Sequence, residues 1–198
     1  MSAVSVTPHA LPASDVRRIP VGKVGVWWFL ASEIMVFGGL IASYLLYRIA
    51  HGGWAAEAAH VSTRIGAINT VVLVTSSLTM VKACRGVEDR KLRRAGVFLL
   101  CTVLLGLTFL GIKAYEYSLE IGYAFTPARG LFWSFYYTMT GLHGLHVLAG
   151  IIANAALLVA AMRGHLRAGV ERRVEFAGLY WHFVDVVWIF LFPLLYLS

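Results

Sequence analysis

The chain reads as an all-α, polytopic membrane protein with five transmembrane helices, its N-terminus cytoplasmic and its C-terminus periplasmic. Three observations carry that reading. Hydrophobic side chains make up 59% of the 198 residues, and mean hydropathy is +0.74. Charged residues are only 14% of the chain, against roughly 25% in a soluble domain. Those few charges are gathered between long apolar runs and give a net charge of +7. A basic nucleic-acid-binding protein would carry far more charge overall, so no nucleic-acid partner is expected. A soluble globule this apolar would expose aggregating patches, and a disordered chain would lack the apolar fraction altogether. The two cysteines, Cys84 and Cys101, are too few and isolated for a disulfide framework or a thiolate metal site.

A helix needs about 20 apolar residues to cross the hydrocarbon layer. Five runs approach or exceed that length. The first extends from about Val24 to Tyr47 and is broken only by Glu33. The second covers Ile65 to Val81 without a charge. The third starts at Ala95, stays uncharged to Ile112 and continues through Lys113 to about Glu116. The fourth runs from Gly130 to Met162 without an Asp, Glu, Lys or Arg. The fifth is Phe176 to Ser198, interrupted by Asp185. Gly, Ser and Thr within the runs are compatible with helix, because lipid forces the backbone to satisfy its own hydrogen bonds. The expected organisation is a cytoplasmic segment, residues 1–23, then a five-helix domain, residues 24–198. The first 22 residues hold Arg17 and Arg18 but no apolar run, so no cleavable signal peptide is expected.

Orientation follows from the Lys and Arg count. The N-terminal segment, the loop between spans two and three and the loop before span five together hold thirteen basic residues. The other face holds three, Arg48, Arg64 and Arg129, with Lys113 near the membrane edge. Five spans put all thirteen on one face, which the positive-inside rule makes cytoplasmic.

Ionisable groups at membrane depth are costly and are therefore functional candidates. At about 1.5 Å per residue, Glu33 lies about 14 Å into span one, and His182 and Asp185 lie about 9–14 Å into span five. His143 and His146, three residues apart, share a face of span four. Helical spacing puts Glu175, Gly178, His182, Asp185 and Ile189 on one stripe. Ser32, Val36, Gly39 and Ser43 give span one a small-residue face suited to close helix contact. For Glu33, a neutral hydrogen-bonded carboxyl and a proton-linked group both remain open. For His143, His146, His182 and Asp185, interhelical contacts are the simplest reading. Snorkelling or local pairing suffices for Lys113, Glu116 and Glu120, and helix packing for Asn69, Thr70, Ser76 and Ser77. Trp27, Trp28, Trp54, Trp133, Tyr136, Tyr137, Tyr180 and Trp181 read mostly as an aromatic belt. The chemistry left open is an ion-coupled carrier using Glu33, a one-haem redox protein using His143 or His146 with His182, or an accessory subunit.

Particular strings sharpen this. TGLHGLHVLAG (Thr140–Gly150) and FAGLYWHFVDVVWIFLFPLLY (Phe176–Tyr196) resemble subunit III of the haem–copper terminal oxidases. LASEIMVFGGL (Leu30–Leu40) is similar to that family's Ser-Glu helix. INTVVLVTSSLT (Ile68–Thr79) and LGLTFLGIKAYEY (Leu105–Tyr117) match two further segments. Lys113 departs from the pattern, where the family commonly has Gln. The resemblance implies the short, five-span form and a subunit that itself binds no haem, copper or other metal. Haem and copper would belong to partner subunits, with catalytic subunit I as the main contact. It also implies structural phospholipid between the helices, support of turnover and proton uptake, and the bacterial inner (plasma) membrane. Glu33 falls on the family's carbodiimide-reactive buried carboxyl. His143, His146, His182 and Asp185 fall on motif positions. Arg172 and Arg173 are candidates for a lipid phosphate, since basic residues at the cytoplasmic interface hold anionic head groups. A related subunit of a nitric oxide reductase system is the nearest alternative.

Overall fold

A computed structural model describes residues 21–162 and 170–197. Arg17, Arg18, Arg163, Arg167 and most of the expected N-terminal segment lie outside the described residues. The five spans are the long helices α1 (Val21–Ala50), α3 (Thr63–Glu88), α4 (Leu92–Gly122), α5 (Leu131–Met162) and α6 (Val170–Tyr196). A single turn, α2 (Ala55–Ala58), joins α1 to α3, and a 3-10 turn, Pro127–Arg129, precedes α5. All five long helices are long and apolar enough to cross a bilayer. Most run past the apolar runs that predict them. A helix of 30 residues such as α1 is about 45 Å long, against about 30 Å of hydrocarbon. The apolar run marks only the part inside lipid, and the helix continues through the head-group layers.

α3, α4, α5 and α6 form a ring in which each helix packs on two others, and α1 lies outside it against α5 and α6. The centre of the ring is Trp181 of α6. A Cβ added at Gly150 of α5 would lie 2.7 Å from the Trp181 ring, and one at Gly106 of α4 would lie 2.8 Å from it. These two glycines create the slot that the indole fills. The indole Nε1 donates to Ser76 Oγ of α3 at 3.0 Å. Two turns along, Trp188 Nε1 donates to Thr70 Oγ1 at 3.0 Å. Two tryptophans thus tie α6 to α3 by bonds that satisfy otherwise buried polar groups. Trp181, Trp133, Trp54 and Tyr136 are all buried, so the expected aromatic belt is corrected at those positions. Trp27 and Trp28 of α1 are exposed. Wide apolar surfaces face outwards, among them Met35, Leu46, Val71, Ile152 and Phe190, as lipid contact requires.

The small-residue face expected on α1 does not pack. Ser32, Val36 and Gly39 are exposed, with nothing within 4 Å of a Cβ built at Gly39. The buried side of α1 is Leu30, Phe37 and Tyr44, seven residues apart. Bulk filling a groove decides the contact, where small residues only permit one.

Three helices end in the same capping motif. At α1, Gly53 N–H donates to Arg48 O and Gly52 N–H to Ile49 O; at α3, Lys91 N–H donates to Gly86 O and Arg90 N–H to Val87 O; at α4, Phe125 N–H donates to Glu120 O and Ala124 N–H to Ile121 O. Such Schellman endings need a left-handed residue. Gly52 supplies it at α1 with φ 75°, but Arg90 (φ 57°) and Ala124 (φ 59°) occupy it at the other two.

Candidate functional site

Glu33, one turn before Phe37 on α1, reaches His146 of α5. Glu33 Oε2 lies 2.9 Å from His146 Nε2, and His146 Nδ1 lies 2.9 Å from Leu142 O. A carbonyl only accepts, so Nδ1 carries a hydrogen. The Glu33 contact then holds a single proton, as a carboxylic acid on a neutral imidazole or a carboxylate on an imidazolium. The edge of Phe37 covers the His146 ring at 5.2 Å, and Tyr180 OH of α6 donates to His146 O at 2.9 Å. The pair therefore sits at the junction of α1, α5 and α6, partly buried.

The histidines of span four are not one site. His143 faces the ring interior, fully buried, stacked on Trp188 at 5.2 Å and met by the edge of Phe109 at 5.6 Å. Among the described residues, neither of its ring nitrogens has a hydrogen-bond partner. His182 Nδ1 is 2.7 Å from Ser77 Oγ of α3. The three span histidines thus have three different sets of neighbours, and the structure does not bring together the pair that a bis-histidine haem needs. Asp185 is 4% exposed with Ser77 as its polar neighbour, and neither carboxyl oxygen completes a full hydrogen bond among the described residues. The expected span-five stripe divides: Gly178 and Asp185 are buried, His182 is half-buried, and Glu175 and Ile189 are exposed. Glu175 pairs with Lys23 of α1 at 2.7 Å. Arg172 and Arg173 are exposed within the first turn of α6 rather than before it.

The most connected polar cluster was not anticipated as a site. Lys113, expected to snorkel, points into the ring at 5% exposure. Its Nζ donates to Glu116 Oε2 at 2.8 Å, to Tyr136 OH at 2.9 Å and to Tyr196 OH. All three ammonium hydrogens are therefore used. Tyr196 OH donates on to Glu116 Oε2 and Tyr136 OH to Glu120 Oε1, each at 3.0 Å. Tyr117 OH is hydrogen-bonded to Thr140 Oγ1 at its edge. The available signal was spacing, since residues 113, 116 and 120 share one helical face. The tyrosines that complete the cluster come from α5 and α6.

A model of the family described as cytochrome c oxidase subunit III matches residues 16–198. The chain belongs to the cytochrome c oxidase subunit III family. It is 39% identical over 190 residues to cytochrome c oxidase subunit 3 of Thermostichus vulcanus, covering 96% of this chain and 90% of that protein. It is 34% identical to the Bacillus subtilis protein of the same name, covering 96% and 94%. It is 32% identical to the probable quinol oxidase subunit 3 of Staphylococcus aureus USA300, covering 89% of each chain. As a subunit III, the chain is a multi-pass membrane protein and part of an oxidase complex with other subunits.

Proposed function

We propose that this chain is the non-catalytic subunit III of a bacterial haem–copper respiratory oxidase in the plasma membrane. The complex reduces oxygen to water and pumps protons, with haem and copper held by partner subunits and cytochrome c or quinol as reductant. This subunit packs against catalytic subunit I, holds structural phospholipid and sustains proton uptake during turnover. The observation that carries the reading is a family match running through all five spans, residues 16–198. The basic face, with its N-terminus, is cytoplasmic by the positive-inside rule. There, the exposed Arg172 and Arg173 suit a lipid phosphate. The Glu33–His146 pair links α1 to the ring and holds one proton; His143 and His182 act as structural contacts.

The test is purification from native membranes with and without the chain. The complete complex should contain a large haem- and copper-bearing partner. A complex stripped of this chain should keep its haem spectrum and initial oxygen consumption, then lose activity during turnover. Unchanged durability without the chain, or a stoichiometric haem band from the isolated chain, overturns the proposal.

A further inference from the structure

A groove of about 340 Å³ runs between α3 and α6 at the end carrying the α3–α4 loop. Its wall includes Glu88 and Cys84 of α3 and Glu171, Glu175, Gly178 and His182 of α6. Glu88, Glu171 and Glu175 are exposed, forming an acidic rim on the face where basic residues predominate. Among the described residues, only Glu175 of these three has an ion-pair partner, Lys23. The polar path continues inwards: His182 bonds Ser77 at 2.7 Å, and Ser77 is the polar neighbour of Asp185, whose two buried oxygens complete no full hydrogen bond among the described residues. Lipid does not explain such a path, because hydrocarbon cannot satisfy a carboxyl. Buried polar groups of this kind are ordinarily satisfied by water, and the groove has room for a chain of it.

We infer that the α3–α6 groove is a hydrated inlet through which Asp185 exchanges its proton with the aqueous phase on the basic face. The acidic rim concentrates cations, hydronium included, at the mouth. Gly178 lets the Cys84 side chain of α3 lie against the α6 backbone beside the groove: a Cβ there would lie 3.0 Å from Cys84 Sγ. His182 forms the polar floor of the groove; Ser77 lies behind it, and Asp185 is the inner end. The exchange is acid–base only: a proton passes between water and an Asp185 oxygen, with no covalent step. The inference stands apart from the role proposed above, since it needs only α3, α6 and water.

The test uses the complex as purified from native membranes and reconstituted in vesicles. Ser77→Cys, in a background with Cys84 and Cys101 replaced by Ser, reports on the path just behind the His182 floor of the groove. Val74→Cys, on the outward side of α3, is the control. A membrane-impermeant cationic methanethiosulfonate added at the basic face should modify the cysteine at position 77 at least tenfold faster than that at 74. It should also react faster than the anionic reagent, and Glu171→Gln with Glu175→Gln should reduce that preference. In infrared spectra of the wild-type groove, a carboxyl band assigned by its loss in Asp185→Asn should shift within minutes of transfer to D2O. Equal reactivity at positions 77 and 74 overturns the inlet. So does an Asp185 band that keeps its proton for hours. The cysteine measurement stands even where Asp185→Asn fails to assemble.

Discussion

Replacing Lys113 by Met removes the one cation from a buried cluster that also holds two acidic side chains. The replacement has similar reach and remains apolar, so the change is mainly electrostatic. At the observed 2.8 Å from Glu116, the lost attraction is about 6 kcal/mol at an effective dielectric constant of ~20. Part of this was offset by the desolvation of the ammonium. Breaking one side of a buried pair typically costs about 3–5 kcal/mol, because the partner is left uncompensated. Glu116 is 2% exposed and Glu120 5%, so neither reaches water without moving α4. We expect Lys113→Met to lower the thermal stability of the purified complex and the amount of chain accumulated in membranes. The double variant Lys113→Met with Glu116→Gln should recover part of the loss, since it removes both members of the pair. Thermal denaturation of the wild type, both single variants and the double variant gives the coupling directly. Wild-type stability in Lys113→Met, or purely additive losses in the double variant, would refute a charge-compensated cluster.

Three further outcomes are expected. Glu33→Gln should leave assembly intact and change oxygen consumption only mildly, because the amide N–H donates to the lone pair of a neutral His146 Nε2 and keeps the contact; loss of oxygen reduction in an assembled complex would contradict the accessory role. Arg90→Gly and Ala124→Gly should each stabilise the protein by about 1 kcal/mol, read as a higher midpoint of thermal denaturation, because each relieves a left-handed non-glycine residue at a helix end. Gly150→Ala places a Cβ 2.7 Å from the Trp181 ring and should cost about 1–3 kcal/mol by overpacking; unchanged denaturation would show that the indole has room to shift.

The five spans were legible because hydrocarbon imposes a length and a polarity that any crossing helix must meet. The faces of those helices were less so. Lipid and protein interior are both apolar, so the alternation that marks the buried side of a soluble helix is absent; hence Ser32, Val36 and Gly39 turned outwards while Leu30, Phe37 and Tyr44 turned in. Glu33 and His146 were each legible as costly groups at depth, but their contact spans 113 positions, beyond the reach of any local pattern. Lys113 was misjudged because a cation near a span end ordinarily reaches water. Its hydroxyl partners, Tyr136 and Tyr196, belong to helices whose rotation only the packed ring defines. Trp181 was misplaced for a related reason: a tryptophan near a span end resembles an interfacial anchor unless the glycines that make its slot, Gly106 and Gly150, are known to face it.

The position of α1 outside the ring has a consequence for how the protein is made. α1 leaves the ribosome before α5 and α6, the two helices it rests on. Until those are synthesised, α1 must reside in the bilayer without its final neighbours, and Glu33 without His146. Its long apolar surface, running through Ile34, Met35, Leu46 and Ile49, lets it wait there. α3 and α4, joined by a three-residue turn, can pair at once. Within these five spans, assembly is therefore expected to begin with that hairpin and to close when α5 and α6 capture the waiting α1.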